Sequence, residues 1–363
     1  MPRVTPSDGP VAVTGASGYI GSHTVLALLK RGYTVHGCVT DASNPEKTEH
    51  LLAMNASGHS GRVELCEGNL FEPGSYDEAF HDCCAVVHVA TVMSYGGKNR
   101  PRDVYEGAVA GTTNVLESVN RSSDVRRLVY ASSFAAIAHP APSGYLFTEG
   151  DWAGDNREGD ASWNRESIND NGEVAYAMSK VETEHLVNRV AEEHGRFDAI
   201  SVCPSIVLGP LLCKSHELVY SWQWFIARML EGEPCKRNWE ALWNIVDVRD
   251  VAEAQALILE SPVCTNGSRY QLTATDATGE LDVYQLKEHL EQLFPDLVVG
   301  GAPPEMRTFL ERRGHIQDSP RARCDLARDE LGLKTHSIED TLEQTGRTMI
   351  DLGLCEPAWT SSR

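Results

Sequence analysis

No stretch of this chain approaches eighteen consecutive apolar residues, so no segment reads as a membrane-spanning helix. The opening MPRVTPSDGP lacks the apolar run of a secretory signal, and a soluble, cytoplasmic protein without a membrane partner is expected. Basic residues are scarce: 32 Lys and Arg stand against 52 Asp and Glu, a formal charge of −20. That charge repels polyanions and leaves no basic stripe, which argues against a nucleic-acid partner. The ten cysteines show no paired Cys-x-x-Cys spacing, and no His-Glu-x-x-His, clustered His/Cys or acidic metal loop occurs, so no metal is expected. Cys38 and Cys203 sit inside apolar runs, where a reduced thiol serves as a small hydrophobe. Internal repeats and long low-complexity segments are also missing.

What is present is an alternation. At 363 residues the chain can bury a large core, as one large domain with an annex or two interleaved ones. Short β-type runs occur at 11–14, 33–39, 63–68, 85–90, 127–133 and 200–209. Helical periodicity fills the gaps: Ile20, Thr24, Ala27 and Leu28, then Val115 and Val119, then Val181, Leu186 and Val190. Strand and helix repeated this often predict an α/β fold of Rossmann type, a doubly wound parallel sheet with helices on both faces. Residues 149–173 break the rhythm with an acidic stretch lacking any sustained period, read as a long surface loop in which Trp152 and Trp163 pack against something. Whether it covers a cleft or is a passive excursion stays open.

Three local patterns carry chemistry. In VTGASGYIGSH, Gly15, Gly18 and Gly21 stand three apart between an apolar run and a helix beginning near Tyr19. Such a turn suits a pyrophosphate at a helix N-terminus, and taken alone it suits a structural turn nearly as well. In YAMSK, Tyr176 and Lys180 are four apart and share a helix face, so an ammonium can favour the phenolate and make the tyrosine a usable acid or base. Ser132 and Ser133 end the run RLVYASS, where a parallel strand delivers hydroxyls to the carboxyl edge of the sheet.

Taken together and in order, TGASGYIG, HVA, YASS, YAMSK, PSIVLGP and DVRDVAEA resemble the extended short-chain dehydrogenase/reductase family, and LARDELGLK resembles its C-terminal end. GYTVHGCVTDASNPEKTEHL and RRLVYASSFAA resemble the dihydroflavonol reductase and cinnamoyl-CoA reductase branch. The resemblance implies that Tyr176 protonates a carbonyl oxygen as hydride arrives from a nicotinamide, that Lys180 holds the ribose hydroxyls and tunes the tyrosine, and that Ser133 stabilises the developing alkoxide. It also implies a cofactor site from Gly15, Ser17, Gly18, Tyr19, Ile20, Gly21, Thr40, Asp41, Lys47, Asn69, Leu70, Val89, Ala90, Thr91, Ser132, Pro204, Ser205 and Val207, with Tyr176 and Lys180. Substrate contacts would come from Ser133, Phe134, His139 and Trp222.

Departures narrow the reading. Ala108 stands where many extended members carry an asparagine, NGEVAYAMSK lacks the Trp-Tyr-Cys run of the plant cinnamoyl-CoA enzymes, and Ala138 replaces the flavonoid-binding asparagine. Asp41 lies 20 residues after Gly21, where an acid binds the ribose 2′-OH of NAD. Relatives that prefer NADP also carry that aspartate, preceded by an arginine whose position here is Thr40, and Lys47 matches a second basic residue. The branch resemblance leans to NADP(H).

The favoured function is therefore an NAD(P)-dependent oxidoreductase interconverting a ketone or aldehyde and an alcohol on an apolar or aromatic substrate. The alternatives are a nucleotide-sugar epimerase or dehydratase, for which Arg228, Lys236 and Arg237 supply basic side chains, and a 3β-hydroxysteroid dehydrogenase-like enzyme. A sensor protein without turnover ranks last, since Tyr176 and Lys180 are both present. Residues 10–205 with 243–273 would form the nucleotide-binding domain, and 206–242 with 274–355 a smaller substrate lobe. His88 reads as a core strand residue, while Trp222 and Trp224 suit a pocket wall or domain core equally. The small-molecule substrate is the only partner the residues imply, with a monomer and a homodimer both open.

Overall fold

The computed structural model describes the chain apart from residues 1–2, 94–98, 143, 157–158, 236–242, 275–279, 303–320 and 361–363. Strands β1 (Val11–Thr14), β2 (Thr34–Val39), β3 (Arg62–Glu67), β4 (Ala85–His88), β5 (Arg127–Ala131) and β6 (Asp198–Pro204) lie in one parallel sheet with β9 (Arg269–Leu272). Their order is β3-β2-β1-β4-β5-β6-β9. The winding direction reverses between β1 and β4, the place where open sheets of this kind form a ligand-binding crevice beyond the carboxyl ends of the strands.

Strands buried on both faces read as apolar runs because alternate side chains enter two different cores. Val13, Val87, Val129 and Ile200 pack with α1 (Tyr19–Lys30) and α6 (Val248–Glu260) on one face. Ala12, Val86, Leu128 and Ala199 pack with α3 (Pro101–Arg121) and α4 (Gly172–His194) on the other. Helix α4 starts where the Asn171 side chain accepts from the amides of Glu173 and Val174, and it stops at Gly195, whose φ of 60° is left-handed. At the foot of β5, the fully buried Arg127 donates to the carbonyls of Ile258, Leu259, Ser261 and Cys264 and thereby caps the C-terminal end of α6.

The run 200–209 is two strands, not one. Pro204 ends β6, Ser205 donates its amide to Leu272, and β7 (Ile206–Leu208) leaves for a second sheet. Proline has no N–H to continue a ladder, which is the physical reason for the break. There β7 pairs in parallel with β8 (Trp243–Asp247), and β8 pairs antiparallel with β10 (Glu280–Leu281). Within 243–273, then, β8 belongs to the small sheet while α6 and β9 belong to the large one. Helices α5 (Trp222–Leu230) and α7 (Val283–Leu293) and the helix Ile338–Asp351 close a separate core around Phe225, Trp243, Leu286 and Leu342.

Segment 149–173 contains two short 3₁₀ turns, Ala153–Asp155 and Glu166–Asn169, and it is pinned where the sequence suggested. Trp152 stacks on His185 with ring centroids 4.1 Å apart, and the Trp163 indole donates to the Ala153 carbonyl.

Candidate active site

The glycine turn lies at the topological switch point. Gly15 adopts φ +67°, and a Cβ there would meet the backbone of Ala90 at 3.0 Å. A Cβ on Gly21 would come within 2.1 Å of the Gly15 carbonyl oxygen, so only glycine lets α1 close onto the turn. Gly18 is the exposed N-cap of α1 and puts no side chain over the first-turn amides of Tyr19, Ile20 and Gly21. Those amides lack helical acceptors and sit at the positive dipole end, which fits a pyrophosphate. Ser17 and Ile20 are half-buried beside them. The Tyr19 hydroxyl donates to the Gly209 carbonyl at 2.9 Å, tying the glycine turn to the small-sheet lobe.

Behind the turn, the Thr14 hydroxyl oxygen accepts from the amides of Val89 (3.1 Å) and Ala90 (3.2 Å) and bonds His88 Nδ1 at 2.8 Å. Burial, assisted by the Lys180 ammonium, pushes the His88 imidazole down to about 3 and keeps it neutral. His88 is the buried strand residue its sequence context predicts. Thr91 follows, half-buried, at the crevice end of β4.

The serine strand and the tyrosine helix meet through small residues. Ala177 and Val181 of α4 pack on Ala135 and Ala136, directly after Ser133. Ser133 is half-buried, and its Oγ accepts the short-turn amide of Ala135 at 3.1 Å. Tyr176 is likewise half-buried, whereas Lys180 is 2 % exposed. The Lys180 Nζ donates to the Ala131 carbonyl at 2.9 Å and lies 5.3 Å from the Tyr130 ring centre and 5.9 Å from that of Tyr176. Burial pushes this amine down to about 8. The structure thus brings Ser133, Tyr176 and Lys180 together at the carboxyl end of β5. Ser132 is buried and donates to Glu184 Oε2 at 2.7 Å.

The other residues expected at the cofactor lie at or just beyond the carboxyl ends of neighbouring strands. Thr40, Asp41 and Lys47 are exposed beyond β2, and Asp41 Oδ1 accepts from the Ser43 amide at 2.9 Å and the Ser43 hydroxyl at 2.6 Å. Those hydrogen bonds, with a smaller contribution from Lys47, hold the Asp41 carboxyl below its usual range. Asn69 caps the turn after β3 by accepting from Phe71, and Leu70 packs under Gly111 of α3. Pro204 and Ser205 lie at the end of β6, where the buried Ser205 hydroxyl has no protein partner among the described residues. The Val207 carbonyl accepts from Gln223 at 2.9 Å and anchors α5.

Of the residues expected at the substrate, Phe134 packs edge-on against Phe147. His139 is 6 % exposed, donates Nδ1–H to the Pro140 carbonyl at 2.8 Å and lies against Tyr145 and Phe147, inside an aromatic cluster. Trp222 packs against Trp243 with ring centroids 5.1 Å apart, and Trp224 against Tyr220. Arg228 pairs with Glu231 and lies over Trp224, while Lys236 and Arg237 fall outside the described residues. Ala108 is buried in α3, and Ala138 joins the Phe134 cluster. Among the described residues, two groups gather potential metal ligands, His50–Cys213–His216 and His139–Asp151–Asp155. In the first, Ser22 and the Leu212 amide already engage the His216 ring nitrogens.

Sequence reasoning missed Glu184 and Arg269. Glu184 is completely buried on the Tyr176 face of α4, and Arg269 of β9 forms an ion pair with it. The signal that was available is the position of Glu184, one helical turn after Lys180.

A doubly wound parallel sheet with a glycine turn at its switch point and a Tyr-x-x-x-Lys helix beside a serine strand defines a Rossmann-type dinucleotide-binding protein. The chain belongs to the NAD dependent epimerase/dehydratase family, whose profile matches residues 11–272. It is 31% identical over 291 residues to a dihydroflavonol 4-reductase of Hordeum vulgare, covering 79% of this chain and 76% of the relative. A cinnamoyl-CoA reductase of Medicago truncatula is 32% identical over 259 residues, covering 69% and 72%. Among solved structures, the yeast methylglyoxal/isovaleraldehyde reductase complexed with NADPH superposes with a TM-score of 0.76 at 23% identity, covering 95% of this chain and 99% of that one.

Proposed function

We propose that this protein is an NADP(H)-dependent carbonyl reductase that interconverts a ketone or aldehyde and an alcohol, with Tyr176 as the general acid and base. The observation that carries the reading is the buried Lys180 ammonium beside Tyr176, on a helix packed against the Ser133 segment. The bound nicotinamide supplies the hydride. In the reducing direction the Tyr176 hydroxyl donates its proton to the carbonyl oxygen, and the Lys180 charge stabilises the phenolate left behind. The Ser133 hydroxyl donates a hydrogen bond to the same oxygen, where negative charge develops. The residues around 10–205, with α6 and β9, hold the cofactor, and the lobe built on β7, α5, β8, β10, α7 and the helix Ile338–Asp351 covers the substrate.

The preference for NADP(H) rests on the branch of named reductases this chain resembles and on Lys47 beside Asp41, with NADPH present in the yeast reductase complex. An apolar or aromatic substrate is supported by the exposed run Leu218, Val219 and Tyr220 leading into α5. The epimerase reading loses its best described cation, because Arg228 is committed to Glu231 and Trp224.

The test is titration of the purified protein with NADPH and NADH by fluorescence, then cofactor oxidation against aromatic ketones, aldehydes and UDP-sugars. Tighter NADPH binding with carbonyl-dependent oxidation is the expected result. Conversion of a nucleotide sugar without net oxidation would replace it, and failure to bind either cofactor would remove it.

A further inference from the structure

We propose that Glu184 is the positioning residue of this site: it fastens the Ser132–Ser133 strand end to the catalytic helix and supplies the counter-charge for Lys180, held there by Arg269. The proposal rests on the carbonyl-reductase reading and adds a residue to it.

Glu184 is 0 % exposed and lies one turn beyond Lys180 on α4. Its Oε2 accepts the Ser132 hydroxyl at 2.7 Å, and Arg269 Nε pairs with its Oε1. The guanidinium continues outward, donating to the carbonyls of Glu149 (2.6 Å) and Asp151 (2.9 Å) and lying 3.7 Å from the Trp152 ring centre. An unbroken buried chain therefore runs from the serine strand through the catalytic helix to the start of the acidic segment. A buried ion pair contributes little to stability compared with apolar residues of the same volume, so stability alone does not account for it.

Electrostatics supplies the second role. Lys180 faces Tyr176 and Glu184 on its own helix, Tyr130 on β5, Cys203 on β6 and His88 on β4. Burial pushes the Tyr130 hydroxyl and the Cys203 thiol up and the His88 imidazole down, so these three stay neutral at working pH. Cys203 and Glu184 both favour the charged amine, but a thiol that keeps its proton carries no charge, which leaves Glu184 as the anion of this group.

The experiment compares kcat/KM against pH for the parent, Glu184→Gln and the double variant E184Q/R269Q, which buries no unpaired charge. Loss of the carboxylate makes the ammonium easier to deprotonate, so the alkaline limb moves to lower pH in both variants, by about one unit in the double variant and further in Glu184→Gln, where the Arg269 cation is left unpaired. Ser132→Ala removes only the hydrogen bond and lowers kcat several-fold with the limb in place. A limb that stays at the parental pH in the Gln variants overturns the proposal. If neither Gln variant folds by circular dichroism, Glu184→Asp decides: the retained charge must keep the limb in place while kcat falls, and a moved limb overturns the proposal. Tyr176→Phe separates the two readings. An active Tyr176→Phe enzyme removes the reductase mechanism itself, whereas an inactive one with an unmoved Glu184→Gln limb removes only the role of Glu184.

Discussion

The Lys180 ammonium donates a 2.9 Å hydrogen bond to the carbonyl of Ala131, the last residue of the strand that leads to Ser133. One bond thus registers the tyrosine helix against the serine strand, and it holds a charge that its surroundings disfavour.

The amine, pushed down to about 8 by burial, sets the first prediction. Below that pH Lys180 is charged and supports Tyr176; as pH rises through it the charge is lost. For carbonyl reduction, kcat/KM should be level on the acid side and fall above about pH 8. Lys180→Met should lower kcat at neutral pH by at least about a hundredfold. A profile level to pH 10 would contradict the lysine role.

Tyr176→Phe keeps the ring and removes the proton donor. Steady-state rates should fall by roughly 10²–10⁴-fold, while NADPH affinity, read by fluorescence, changes only a few-fold.

Gly21→Ala places a methyl group 2.1 Å from the Gly15 carbonyl oxygen, a backbone atom that cannot move without opening the turn. The strain should cost about 1–3 kcal/mol. Because it is concentrated at the phosphate cradle, cofactor binding in a fluorescence titration should weaken more than urea unfolding reports.

Thr40→Arg would set a guanidinium next to Asp41 at the exposed end of β2. A phosphate monoester gains a charge-assisted, two-point contact from arginine, so KM for NADPH should fall about tenfold with little change for NADH. Equal effects on both cofactors would place the ribose elsewhere.

Arg127→Leu removes the buried donor from the carbonyls of Ile258 and Leu259 in the last turn of α6 and of Ser261 and Cys264 just beyond it. Urea denaturation should show a loss of about 3 kcal/mol, with KM for the carbonyl substrate close to parental because Arg127 lies at the foot of β5, away from its carboxyl end.

The legible part of the site is its local part. The glycine turn follows β1 and opens α1 within eleven residues of chain, VTGASGYIGSH, and Tyr176 and Lys180 share a face by helical spacing alone. Parallel strands buried on both faces announced themselves as apolar runs. Pro204 marks a break in 200–209, but the destination of the second piece was hidden, because Ile206–Leu208 is as apolar as β6 and only its pairing with β8 shows that it left the large sheet. The aromatic seat of His139 was equally hidden, since its neighbours Tyr145 and Phe147 reach it through a loop with no period.

By itself, then, the amino-acid sequence determined the alternation of strands and helices, the phosphate turn and the tyrosine–lysine spacing, all set by interactions between residues a few positions apart. Tertiary structure alone decided that Lys180 is buried against Ala131 and that Glu184 meets Arg269, 85 positions away. Burial and charge pairing depend on which strands become neighbours in the sheet, and that order appears only when the whole core is assembled.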